Sequence, residues 1–174
     1  MESALASLII AMVALYSVFT IAQVYLTSQD AILTSGREMQ ERTLERVHTD
    51  IDFASTQVLS SGSVVEAILR NQGSVKLADF QEWDVIVHYY TASGGYHVKW
   101  LPFTPATPTD NQWTVAGLYL QALSTPEVYE PDIFNPDEEM VIQIRLLPPV
   151  GPNTTNQLTV ITENGVAVST FFTR

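Results

Sequence analysis

Residues 3–29 read SALASLIIAMVALYSVFTIAQVYLTSQ, and not one of them carries a charge. Apolar side chains such as Leu8, Ile9, Ile10, Val13, Leu15, Val18, Phe19, Ile21 and Val24 fall on every side of a helical projection, so no face is left for water. At about 1.5 Å per residue this helix is roughly 40 Å long, enough to cross a hydrocarbon layer of about 30 Å. It is too long for the apolar core of a signal peptide, and no basic region precedes it. Only Met1 and Glu2 stand ahead of it. Two histories fit this start: a short basic leader removed from before Met1, or an uncleaved anchor beginning at its own initiator.

Two details of the segment bear on what it packs against. Ser3, Ser7 and Ala11 recur every fourth residue and are followed by Ala14 and Ser17. Stripes of small residues let helices approach closely in an apolar medium, although such residues are also ordinary membrane-helix composition. Glu2 would cost several kcal/mol if buried unpaired. A neighbouring helix's Met1 amine would pair with it, and a position at the wet end of the helix would need no partner.

The helical pattern is expected to continue. Residues 30–60 contain no proline, Gly36 is the one strong helix-weakening residue, and Arg37, Glu38, Met39, Gln40, Glu41, Arg42 and Leu44 are good helix formers. Leu44, Val47, Ile51, Ala54 and Val58 recur at 3-4-3-4 spacing and predict one amphipathic seam. Glu38–Arg42 is an attractive i,i+4 pair and Glu41–Glu45 a repulsive one, as on a solvated face. The reading is a single helix over residues 1–61, with a bend allowed at Gly36, and an outer domain over residues 62–174.

From residue 64 the period becomes two. Val65, Ala67 and Leu69 alternate with Glu66, Ile68 and Arg70, and Asn71-Gln72-Gly73 is a turn. Segments 84–91 and 96–101 flank Ala92-Ser93-Gly94-Gly95 as a hairpin. Pairing Thr91 with Tyr96 would put Val87, Tyr89, Tyr96, Val98 and Trp100 on a buried face, with His88, Tyr90, His97 and Lys99 on a wet one. Further strands are expected at 113–120, 140–147, 157–163 and 166–172, the last two joined through Asn164-Gly165. About seven strands in roughly 110 residues predict an immunoglobulin-like sandwich, so the fold class is α+β.

Composition narrows the function. The 174 residues carry 8 basic and 19 acidic side chains, a net charge of −11, which disfavours nucleic acid. There is no cysteine, hence no disulfide and no thiol chemistry. The sequence offers no nucleophile–base motif and no phosphate loop, so neither an enzyme nor a cofactor is expected. The acidic stretch that includes Asp132, Asp137 and Glu138 is a weak candidate for a hard cation, set against a stiff, solvated, proline-rich loop. His88 and His97 could share a metal on the wet strand face, but no third ligand is in view. Asn153-Thr154-Thr155 is a glycosylation sequon in a Gly/Pro-rich loop.

With these parts in hand, the layout resembles the type IV pilin superfamily, and within it the archaellins and their archaellum-associated relatives. The resemblance is carried by MESALASLIIAMVALYSVFTIAQVYLTSQDAI at the start, by VVEAILRNQGSVKLADFQEWDVIVHYY (64–90), and by NQLTVITENGVAVSTFF (156–172). Bacterial-type pilins carry glutamate at the fifth mature position, where this chain has Leu5, with Glu2 instead. The resemblance implies a filament subunit. A prepilin-type peptidase would cut a leader, an assembly motor would draw the helix from the cytoplasmic membrane, and copies would stack into an extracellular helical polymer. Ser3, Ser7, Leu8, Ala11, Met12, Ala14, Leu15, Val18, Phe19 and Ala22 would then form the helix–helix core. Heterologous contacts that do not close give such an open polymer. Two other readings share the layout: an adhesive pilin-like subunit, and a membrane-anchored β-sandwich of stator or binding type that does not polymerise.

Overall fold

A computed structural model describes residues 2–121 and 124–174, and the side chains of residues 7–120 and 124–174. Helix α1 spans Glu2–His48, roughly 70 Å at about 1.5 Å per residue. It runs through Gly36 without interruption. The chain forms two compact units that divide between Leu44 and Glu45.

The helix therefore stops well short of residue 61, and the expected seam is split. Leu44 and Val47 lie in α1, whereas Ile51, Ala54 and Val58 belong to strand β1, Ile51–Leu59. Local hydrogen bonding marks the stop. The backbone N–H and the hydroxyl of Thr49 both donate to the Glu45 carbonyl, at 2.9 and 2.8 Å. The carbonyls beyond are claimed from elsewhere. Gln72 and Gly73 N–H donate to Asp50 O at 2.8 and 2.9 Å, and Ser74 N–H to His48 O at 3.0 Å. Gly73 is needed there, since a Cβ would lie 2.5 Å from His48 O and 2.6 Å from Asp50 N. Ile51, Phe53, Thr56 and Val58, β-branched or aromatic, then fit a pleated surface.

The remaining strands are β2 (Val64–Asn71), β3 (Asp84–Tyr90), β4 (Tyr96–Leu101), β5 (Gln112–Gln121), β6 (Thr125–Pro126), β7 (Glu139–Arg145), β8 (Thr155–Ile161) and β9 (Ala167–Thr173). They form two antiparallel sheets, ordered β1-β2-β7-β5-β6 and β4-β3-β8-β9. The period-two alternation works as the sequence predicts: Val65, Ala67 and Leu69 of β2 are fully buried, in the same core as Val85, Val87 and Tyr89 of β3. This is the expected α+β architecture, one long helix and a two-sheet sandwich.

Asn71 ties the helix-side loop to the sandwich. It is fully buried. Its amide donates to Val75 O (2.9 Å) and Phe134 O (3.0 Å), and its carbonyl oxygen accepts from Gly73 N–H (3.1 Å). Asn71→Ala strands these buried groups, and we expect a loss of about 2 kcal/mol. The check is the urea midpoint, which should fall with an unchanged slope. An unmoved midpoint would show that the side chain holds nothing.

Candidate protein–protein interface

The β3–β4 hairpin closes one residue earlier than the sequence reading placed it. Thr91 N–H donates to Gly95 O (2.9 Å) and Gly94 N–H to Thr91 O (2.9 Å), with Gly94 at φ +81°. The 162–166 connection is built the same way, with Thr162 N–H to Val166 O, Gly165 N–H to Thr162 O, and Gly165 at φ +81°. Both are tight turns finished by a left-handed glycine, which only a residue without Cβ adopts cheaply. The closure pairs Tyr90 with Tyr96, Tyr89 with His97 and Ile86 with Trp100.

A one-residue slip moves every side chain of a strand to the other face. Tyr96, Val98 and Trp100, expected inside, therefore stand on the outer face beside Ile86, His88 and Tyr90. Val87 and Tyr89 stay in the core. His88 and His97 fall on opposite faces and cannot share an ion. His97 stacks on the buried Tyr89 ring at 5.4 Å, and His88 Nδ1 meets the Tyr96 hydroxyl at 2.8 Å on the outside.

Across the sheet, β8 and β9 extend this outer face. Gln157 pairs with His88 on one side and with Phe171 on the other. The resulting surface carries Trp100 at 59% exposure, Tyr96 at 54%, Val98 at 53% and Phe171 at 71%. Its polar tips are already engaged. Trp100 Nε1 donates to Asp84 Oδ1 (2.7 Å), and Thr159 and Ser169 hydroxyls bond each other (2.8 Å). Trp100 is held in place by its bond, and Val98 and Phe171 present bare apolar surface beside it. Rigid, exposed aromatic residues of this kind are what protein interfaces bury at their centres.

Helix α1 presents the second apolar surface. Leu8, Met12, Leu15, Val18 and Phe19 are all exposed, and the helix is long and apolar enough to cross a membrane. Ser7, Ala11, Ala14 and Ala22 share this exposed segment. Ser3, Glu2 and Met1 lie outside the described side chains. Hydroxyls in the apolar part bond back to the preceding turn: Ser17 to Val13 O (2.8 Å), Thr20 to Tyr16 O (2.8 Å) and Thr27 to Gln23 O (2.9 Å). No hydroxyl among these three needs water, which suits a hydrocarbon environment.

The acidic stretch is not a wholly solvated loop. Glu138 and Glu139 are 4% and 7% exposed. Glu139 meets Arg70 at 3.2 Å. Glu138 accepts from Asn135 N–H (2.8 Å) and from the Asn135 amide (3.2 Å). Among the described residues, no three Asp, Glu or His side chains come together as a metal set. Asp132 and Asp137 are exposed, and the sequon's Asn153 is an exposed residue at φ +56°.

Burial pushes the Glu138 carboxyl up, and its hydrogen bond to the Glu127 carboxylate adds to this, while the Asn135 bonds oppose it. Glu127 is held down, first by the N–H of Tyr129 and then by that of Glu130. The folded chain thus keeps the Glu138 proton where the unfolded chain has lost it. Its contribution is complete below the ordinary glutamate range and is lost as pH rises through the folded value. Glu138→Gln supplies a permanent donor to Glu127. We expect its thermal midpoint to stay flatter than wild type as pH rises from the ordinary glutamate range. Parallel pH profiles for the two proteins would refute the shared proton.

Comparison with known proteins adds the following. The family model for the conserved flagellar protein F, immunoglobulin-like domain (FlaF Ig-like), matches residues 48–170. No curated protein matches the chain. Among solved structures, the archaellum periplasmic stator protein FlaG from Sulfolobus acidocaldarius aligns with a TM-score of 0.51 at 22% identity, covering 71% of this chain and 99% of that one. The stator protein complex FlaF and FlaG from the same organism gives 0.51 at 20%, covering 70% and 87%. The archaeal flagellum of Methanospirillum hungatei strain JF1 gives 0.58 at 10%, covering 97% and 90%. At these identities the three structures speak to the fold.

Proposed function

The chain belongs to the conserved flagellar protein F immunoglobulin-like family, and from that premise we propose that it is a membrane-anchored archaellum component of stator type. In this reading α1 is the anchor, and the sandwich stands outside the cytoplasmic membrane. The outer face of β3, β4, β8 and β9 holds a partner protein. The observation that carries the proposal is the exposed aromatic face around Trp100 and Phe171, combined with the family match. The partner we propose is a second, different stator-type chain, since the solved stator structure is a complex of FlaF and FlaG. With a net charge of −11, copies of this chain repel one another, which favours a heteromeric partner.

The filament-subunit reading keeps one observation in its favour, the alignment with the archaeal flagellum over 97% of this chain. The two readings part at one experiment. Shearing archaella from cells should leave the chain with the cell envelope. Recovery of the chain as the repeating subunit of the sheared filament would reject the stator reading. We propose no catalytic role, and Ser7, Leu8, Ala11, Met12, Ala14, Leu15, Val18, Phe19 and Ala22 then contact lipid or a neighbouring anchor helix. Asn153 is proposed as a glycan acceptor.

A further inference from the structure

We propose that a second site, away from the aromatic face, receives an arginine or lysine side chain presented by a partner protein. The site is an open cleft of about 400 Å³, walled by Phe80, Phe103, Pro105 and Ile133 and carrying the carboxylates of Asp79 and Asp132.

One backbone contact joins the two segments that carry these acids. Leu77 and Phe134 form an antiparallel bridge, with Leu77 N–H to Phe134 O at 3.1 Å and Phe134 N–H to Leu77 O at 2.7 Å. Asp79 follows Leu77 by two residues, at φ +45° where the chain enters a short 3₁₀ turn over Phe80–Glu82, and Asp132 precedes Phe134 by two; both line the cleft. The apolar walls are fixed from behind. Phe80 packs edge-on against the buried Trp83 (5.3 Å), and Phe103 against the buried Trp113 (5.0 Å). Trp83 Nε1 in turn donates to Ala78 O at 3.1 Å, holding the residue beside Asp79.

Charge decides the occupant. The ion pairs among the described residues join Arg70 to Glu139, Lys76 to Glu130 and Arg145 to Asp110, and none reaches Asp79 or Asp132. Lys76, the nearby cation on the same loop, is already held by Glu130 at 2.8 Å. Glu163 adds a third carboxylate behind the cleft, where it accepts the Ala78 N–H at 3.1 Å. The cleft thus sets two acids that make no ion pair among the described residues beside the half-buried Phe103 ring. A neutral apolar side chain would leave the carboxylates unused. A guanidinium or ammonium group on an aliphatic stem would use both, the stem on Pro105 and Ile133 and the head between the acids, with a cation–ring contribution. A divalent ion would use the acids and not the ring. This inference is independent of which assembly the chain serves.

The test uses the full chain in detergent micelles, with methyl NMR signals of Ala78 and Ile133 as reporters. Acetyl-arginine amide and acetyl-lysine amide should move both signals saturably, and acetyl-citrulline amide, the neutral isostere, should not. Asp79→Asn with Asp132→Asn should weaken arginine binding about tenfold, the size of two exposed charge contacts and a cation–ring contact combined. Each single change should cost about threefold, and an unaltered methyl spectrum elsewhere shows that the variants are folded. Equal shifts with citrulline, or unchanged binding by the double variant, would overturn the proposal. So would calcium chloride moving the same signals and displacing arginine at lower concentration, which would make this a cation site.

Discussion

Replacing Trp100 and Phe171 together by glutamate is expected to leave the sandwich folded and the cells unable to swim. Both side chains are exposed, so the substitutions open no cavity in the core. Changes at such positions usually alter stability by no more than about 0.5 kcal/mol. Trp100 also loses its bond to Asp84, but that pair lies at the surface and the carboxylate is free to take water. Binding is a different matter. Aromatic anchors at the centre of an interface cost about 2 kcal/mol or more each when removed, roughly thirtyfold in affinity. A buried glutamate adds a desolvation cost on top. The measurement is twofold: co-purification of the tagged chain with its archaellum partner from detergent-solubilised membranes, and swim-ring diameter of cells carrying only the variant. Both should collapse while the urea midpoint holds. Intact co-purification and swimming would remove this face from the function.

The second large effect is expected from the helix. Leu15→Arg with Phe19→Arg puts two guanidinium groups in the charge-free segment, at about 2.5–3.5 kcal/mol each on insertion-based scales. We expect the double variant to vanish from the carbonate-resistant membrane fraction. Leu44→Arg with Val47→Arg serves as the comparison. These positions are also exposed, 50% and 73%, but lie beyond the apolar run, and membrane retention should not change. If the Leu15/Phe19 variant stays in the membrane, α1 is not the anchor. If the Leu44/Val47 variant is the one released, the anchor has been placed at the wrong end of the helix.

The mistaken seam at residues 44–58 shows where a linear reading fails. Ile51 and Val58 stand a heptad apart, which looks helical. In β1 strict alternation would put them on opposite faces. The register shift between Phe53 and Ser55 inserts one extra residue at Ala54, so Ile51 and Phe53 point inward before it and Thr56 and Val58 after it. The bulge thus keeps Ile51 and Val58, seven apart, on one face as a helix would, while Ala54 itself turns outward. The β-branched and aromatic residues of 51–58 are a local sign of a strand, and pairing of β1 with β2 decides.

The hairpin failed for a related reason. Ala92-Ser93-Gly94-Gly95 marks a turn, but turn residues fix its place only to within a residue. That uncertainty is enough to exchange a buried face for an exposed one. The aromatic surface was hidden in the sequence because Tyr96, Val98 and Trp100 look like core residues. The Asp79–Asp132 cleft joins positions far apart in the chain, so no spacing could have announced it.

The sequence by itself determined the charge-free helix, the buried alternation of Val65, Ala67 and Leu69, and the α+β class, because each follows from a local period of apolar side chains. The tertiary structure alone decided that residues 51–59 form a strand, that Trp100 and Phe171 face outward, and that Glu138 is buried. Those outcomes depend on which distant backbone groups satisfy one another, and a hydrogen bond between Leu77 and Phe134 or between Gly73 and Asp50 leaves no trace in the order of residues.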